Sequence, residues 1–165
     1  MKALSLWQPW ASLMAEGAKK IETRGWKNDY RGLVAIHASK TWNSELRTIT
    51  MQPKFNESLR GVLPESNKVD SLPRGCFIAV GKLHRVLSTT THAPAIPSMK
   101  TDEFWFGDYS ENRFMWVFDG VWKLSTPLFS RGYQALWDVP QDVAELMISL
   151  LPEEAQELIR QDRIE

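Results

Sequence analysis

Apolar and polar positions change their period twice within the first forty residues. Leu4 and Leu6 alternate with their neighbours as in an extended lead-in, and Trp10, Leu13 and Met14 then recur at the spacing of one helix face. Pro9 suits a first helical position and Gly17 a left-handed stop, so the spacing predicts a two-turn helix over 9–16. From 20 to 26 the period is two: Ile21 and Thr23 fall on one face of a strand, and Lys20, Glu22, Arg24 and Trp26 on the other. A turn at 28–32 leads to a buried strand at 33–39, rich in Val, Ile and Leu, which ends near His37 and Lys40.

The later pattern mixes both periods. A helix is predicted from Thr41 or Asn43 to Pro53, with Trp42, Leu46 and Ile49 on one face. Residues 55–74 read as a long connection with one further helical turn, and 75–89 as a long central strand. Residues 90–112 carry Pro94 and Pro97 and read as a surface excursion of a length often tied to function. One or two strands turning near Asp119-Gly120 follow over 113–124, then a short edge piece at 127–130. Helices over 138–150 and 152–162 close the chain. Strands with irregular connections, one early helix and terminal helices indicate an α+β fold, a small barrel or strongly bent sheet with helices packed across it.

Composition narrows the function. A chain of 165 residues with 43% hydrophobic content and eight Trp supports one domain with a sizeable core. The single Cys76 allows no internal disulfide, and no signal pattern or membrane-length apolar run occurs, so a soluble cytoplasmic protein is expected. The formal net charge is zero, yet residues 140–165 hold seven acids against Arg160 and Arg163, a net of −5, leaving +5 on the first 139. A modest positive surface on that body would attract phosphates, although the acids also fit a solvated helix face. There is neither a dinucleotide-binding glycine loop nor a phosphate-loop lysine motif.

Lys19, Glu22 and Arg24 form the most compact charged set. Two readings compete: an exposed ion-pair cluster beside a helix end, and a site whose pKa values are perturbed by the neighbouring Trp7, Trp10 and Trp26. In the second, Glu22 is a general base and the cations are its partners or anion binders. Trp10 belongs to the helix's apolar stripe, whereas Trp7 or Trp26 could offer a flat face to a base, with Gln8 and the helix start beside a phosphate. His37, His84, His92 and Cys76 lack metal-ligand spacing, so no metal is expected, and Arg113 reads as a binding edge or part of a tight turn.

The run Trp7-Gln8-Pro9-Trp10-Ala11 followed by Gly17-x-Lys19-x-x-Glu22-x-Arg24 resembles the ASCH domain family, of a bacterial or phage type. Tyr30-Arg31-Gly32, Ile36-His37-Ala38 with Lys40, the segment from Gly107-Asp108-Tyr109 to Trp116, and Ala135-Leu136-Trp137 match further landmarks. The resemblance implies a PUA-like β-barrel over 1–139 with Lys19, Glu22 and Arg24 lining a cleft between early helix and barrel, and RNA or a modified nucleoside as ligand. The helices over 140–165 are expected as an extension packed on the same domain, Lys19, Glu22 and Arg24 as the catalytic set, and Trp7, Gln8, Trp26, His37, Lys40 and Arg113 as substrate-binding residues. No cofactor and no membrane are expected, and the oligomeric state is open between monomer and weak dimer. Some small bacterial relatives are amidohydrolases acting on 4-acetylcytidine, using a lysine, a threonine nucleophile and a distant glutamate; others cut RNA. Lys19 matches that lysine, but Glu22 stands at the threonine position and Thr23 falls on the opposite strand face. Hydrolysis with Glu22 activating water is therefore the alternative to binding.

Overall fold

The computed structural model describes residues 1–162, so Arg163 and Glu165 of the acidic extension lie outside the described residues. Strands β1 (Lys2–Leu6), β2 (Ile21–Arg24), β3 (Gly32–Ala38), β4 (Cys76–Ser88), β5 (Phe114–Phe129) and β6 (Leu136–Asp138) form one mixed sheet in the order β2-β5-β4-β3-β1-β6. β1 runs parallel to β3 with Leu4 opposite Ile36, and the other pairings are antiparallel. Register shifts at Ile36/His37 and at three points between β4 and β5 bend the two long strands, because each bulge adds local twist. At the bend, a Cβ on Gly81 would stand 2.7 Å from the Phe118 ring, so that ring lies over bare backbone. The α+β expectation holds. The sheet is a half-barrel whose ends, β2 and β6, do not pair with each other among the described residues.

Among the described residues six α-helices surround it: α1 (Trp10–Ala15), α2 (Ser44–Met51), α3 (Pro53–Ser58), α4 (Asp102–Trp105), α5 (Gln141–Ser149) and α6 (Glu153–Asp162). Alternation along the strands splits the core. Leu4, Val34, Ile36, Ile78 and Trp116 face inward onto Ala11 and Met14 of α1, while Ala3, Ala35, Phe77 and Val80 face outward onto Ala144 and Met147 of α5 and Ala155 and Ile159 of α6. The other side of α1, at Leu13, is covered by Phe55, Leu59, Val69 and Leu72, so residues 55–74 act as a lid on the early helix as well as a connection. No helix among the described residues is long and apolar enough to cross a membrane.

Two strands differ from expectation. β5 is one strand of 16 residues with no turn at Asp119-Gly120, because β4 runs alongside and pairs Lys82 with Gly120 and Gly81 with Val121. A hairpin there would strip β4 of its partner. β6 went unpredicted because three residues are too few to display a period.

Candidate functional site

The cleft is built outward from the end of α1. Gly17 takes φ +76°, and Lys19 N donates to Leu13 O at 3.0 Å, which closes the helix and turns the Lys19 side chain inward. Lys19 is only 1% exposed. Its Nζ donates to Ile21 O and, at 3.0 Å, to Phe106 O, and lies 3.5 Å from Glu22 Oε2. Two carbonyl acceptors and the facing carboxylate are what make so deep a lysine tolerable. On the other side, Glu22 Oε1 is 3.1 Å from Arg24 Nε, off the N–H axis, so this is a charge contact and not an aligned hydrogen bond. Arg24 Nη2 donates to Ser5 O at 2.8 Å, tying β2 to β1 across the mouth of the half-barrel.

Residues 102–108, part of the predicted surface excursion, form one wall. Glu103 accepts from Lys20 N at 2.7 Å and Ile21 N at 3.1 Å, and burial raises its pKa against the lowering effect of those bonds and of Lys19. The Thr23 hydroxyl accepts from Asp108 N at 3.0 Å. Arg113 Nη2 donates to Thr23 O at 3.2 Å, and its Nε lies 3.2 Å from Asp108 Oδ2, stapling the wall to β2. Burial, then Glu103 and Glu22, push the Tyr109 hydroxyl well above its ordinary pKa, so it stays protonated.

Three chambers follow one another as a trough. The first, about 290 Å³, lies between Glu22, Thr23, Trp10 and the Phe106–Asp108 backbone. The second, about 270 Å³, shares Trp10, Glu22 and Thr23 with it and adds Trp7, Arg24 and Arg113. The third, about 1050 Å³, shares Ser5, Trp7 and Arg24 and adds Lys40, Arg131 and Tyr133.

Of the residues expected from the sequence, Glu22, Arg24, Trp7, Lys40 and Arg113 line this trough, and Lys19 lies beneath it, supporting Glu22. Trp7 is 54% exposed. Three others are placed elsewhere. Gln8 is fully buried: its Nε2 donates to Ser12 Oγ and Pro73 O, and its Oε1 accepts from Ser12 N, so it joins α1 to the segment before β4. Trp26 packs edge-on against Trp116, with centroids 4.7 Å apart, at the rim of the inner core. His37 is buried between Ser5 Oγ (3.1 Å) and Ser130 O (3.0 Å) beneath the wide chamber, and burial lowers its pKa. Because a carbonyl only accepts, Nε2–H is the donor to Ser130 and the neutral ring's Nδ1 accepts from Ser5. Sequence reasoning missed Glu103, Arg131 and Tyr133, which are isolated in the chain and marked by no local pattern. No group of three or more His, Cys, Asp or Glu converges among the described residues as a metal site would require.

Comparison with known proteins agrees with this architecture. The family model for the ASCH domain matches residues 4–117. The chain is 24% identical over 140 residues to activating signal cointegrator 1 of Mus musculus and to that of Homo sapiens, an alignment covering 85% of this chain and 22% of each relative. It thus spans about a fifth of the length of the curated relatives it matches. In fold it is similar to the crystal structure of ASCH from Zymomonas mobilis, with TM-score 0.54 and 13% identity, covering 92% of this chain and 95% of that one. A serine-to-alanine mutant of the same protein gives 0.53 and 14%, covering 92% and 96%. At such identities the likeness concerns the fold alone.

Proposed function

The chain belongs to the ASCH domain family, and from that premise we propose that it binds RNA or a modified nucleoside or nucleotide in the trough around Glu22. The observation that carries the reading is the Glu22 carboxylate, which Lys19 and Arg24 hold from either side on the trough floor, next to the exposed ring of Trp7. A carboxylate is an acceptor-only group and selects base edges that donate, such as the cytosine amine. Trp7 supplies a flat face for stacking, and Arg24 and Lys40 supply charge for phosphate or ribose.

Binding of cytidine monophosphate and of a single-stranded oligonucleotide, measured by calorimetry and fluorescence anisotropy at low salt, tests this. Glu22→Gln is expected to weaken both about tenfold, since a carboxylate acceptor facing a base donor is lost. Lys40→Gln is expected to lower the salt slope of oligonucleotide binding by about 1. A wild-type protein with no affinity for either ligand would sink the reading.

Hydrolysis remains the second reading because Glu22 opens onto a chamber large enough for water beside a substrate. The geometry favours binding: the Lys19 donors are committed to two carbonyls and Glu22, and the Thr23 hydroxyl is engaged by Asp108. Incubation with 4-acetylcytidine and with RNA decides between them, since wild-type turnover that Glu22→Gln abolishes would make the site catalytic.

A further inference from the structure

The wide chamber beyond Trp7 is larger than recognition of one base at Glu22 requires. Its lining holds Arg24, Lys40 and Arg131 and no acidic side chain. Arg24 is neutralised by Glu22, whereas among the described residues neither Lys40 nor Arg131 has a carboxylate within 4.0 Å. The Arg131 guanidinium lies 5.3 Å from the centroid of the Tyr133 ring, which is 53% exposed and packs edge-on against Trp137 at 5.8 Å. Arg131 and Tyr133 also border a fourth cavity of about 380 Å³, which continues the trough towards Trp137.

The loop carrying this pair is fixed to the sheet. Ser130 N donates to Gly75 O at 3.1 Å, and Ser130 O accepts from His37. A Cβ on Gly132 would stand 2.6 Å from His37 Nδ1 and 2.8 Å from Ser5 Oγ, so the backbone here is pressed onto the sheet as only glycine permits. Beyond the pair, Ala135 holds φ +58°. A cation without a carboxylate partner beside a half-exposed ring on an anchored loop supplies the components with which proteins hold successive nucleotides, the ring taking a base and the cation the phosphate.

We infer that Arg131 and Tyr133 form a second nucleotide subsite, so that the ligand is a single-stranded polynucleotide running from Glu22 past Trp7 to Tyr133, and not a free nucleoside. This rests on the reading of the Glu22 site given above. The shared chemistry is a base stacked on Tyr133 and a phosphodiester at Arg131 and Lys40; the sugar is left to the experiment.

The test compares cytidine monophosphate with RNA and DNA octamers, using wild type, Tyr133→Ala, Arg131→Gln and Trp7→Ala. Tyr133 and Arg131 are surface residues, so thermal denaturation should show all variants folded. Wild type is expected to bind an octamer at least tenfold more tightly than the mononucleotide. Tyr133→Ala should reduce octamer affinity about tenfold and leave mononucleotide affinity unchanged. Arg131→Gln should lower the salt slope by about 1 for the octamer alone. Either polymer showing this pattern supports the inference, and comparison of the two says which sugar is preferred. Equal affinity for octamer and mononucleotide, or octamer binding weakened by Trp7→Ala but not by Tyr133→Ala, overturns the inference and leaves the Glu22 site standing. No binding of either ligand overturns both.

Discussion

Lys19, which the spacing offers as a charged member of the site, is buried in three dimensions and held by carbonyls and Glu22. Its spacing to Glu22 and Arg24 was legible because all three lie within six residues and the helix stop at Gly17 is local. Its burial was not, because the acceptor Phe106 O lies 87 residues away. Lys19→Met is therefore expected to destabilise the fold by about 3–5 kcal/mol in urea denaturation, since it leaves Glu22 and two carbonyls without their buried cation. If Lys19 were only a ligand contact, stability would stay within about 0.5 kcal/mol. His37 gives a pH signature. Its folded pKa lies below the unfolded value of 6.5, so the unfolded chain takes up the proton first as pH falls. The stability that neutral His37 contributes is present above 6.5 and is lost as pH falls below it. The melting temperature should drop as pH falls below 6.5, and His37→Asn should flatten that slope. Gln8 teaches the same lesson as Lys19, for it reads as a polar residue at a helix start, and only its bond to Pro73 O, 65 residues on, reveals a buried strut.

At the level of elements, periodicity served well for the central strand β4 and for the capped helix α2. α2 begins where its polar cap predicts: the Asn43 side chain accepts from Leu46 N at 2.9 Å. Asn43→Ala should cost about 1 kcal/mol, read as a lower denaturation midpoint at unchanged slope, with ligand binding intact because α2 lies off the trough. The failures have a common cause. Asp119-Gly120 is a strong turn signal in isolation, but a continuous ladder with β4 outweighs it. Likewise α4 and its flanks lack a period, yet Glu103, Asp108 and Phe106 anchor them to β2 and make a wall of what reads as a loop. Short elements held by polar anchors leave no pattern for a periodic reading to find.

Over the whole molecule, the sheet separates two chemistries. α5 and α6, which hold most of the C-terminal acids, pack on the outward face, while α1 and the trough occupy the inner side and its mouth. None of the three chambers takes a lining residue from α5 or α6, whereas the fourth cavity, beyond Tyr133, reaches Asp138 of β6 and Val143 of α5. A polyanion approaching the trough meets Arg24, Lys40, Arg131 and Arg113 without those acids alongside.

The placement of β2 at the edge beside β5 has a consequence for how the protein comes into being. β2 carries Glu22, and among the described residues its only ladder partner is β5, where Glu22 faces Trp116, 94 residues further along. On a ribosome adding about 5–20 residues per second, the motif is synthesised roughly 5–20 s before the strand that orders it. β1, β3 and β4 can pair in the meantime, but the charged strand must wait. The Glu22 strand is ordered only once β5 is made, although its central motif is among the first parts synthesised.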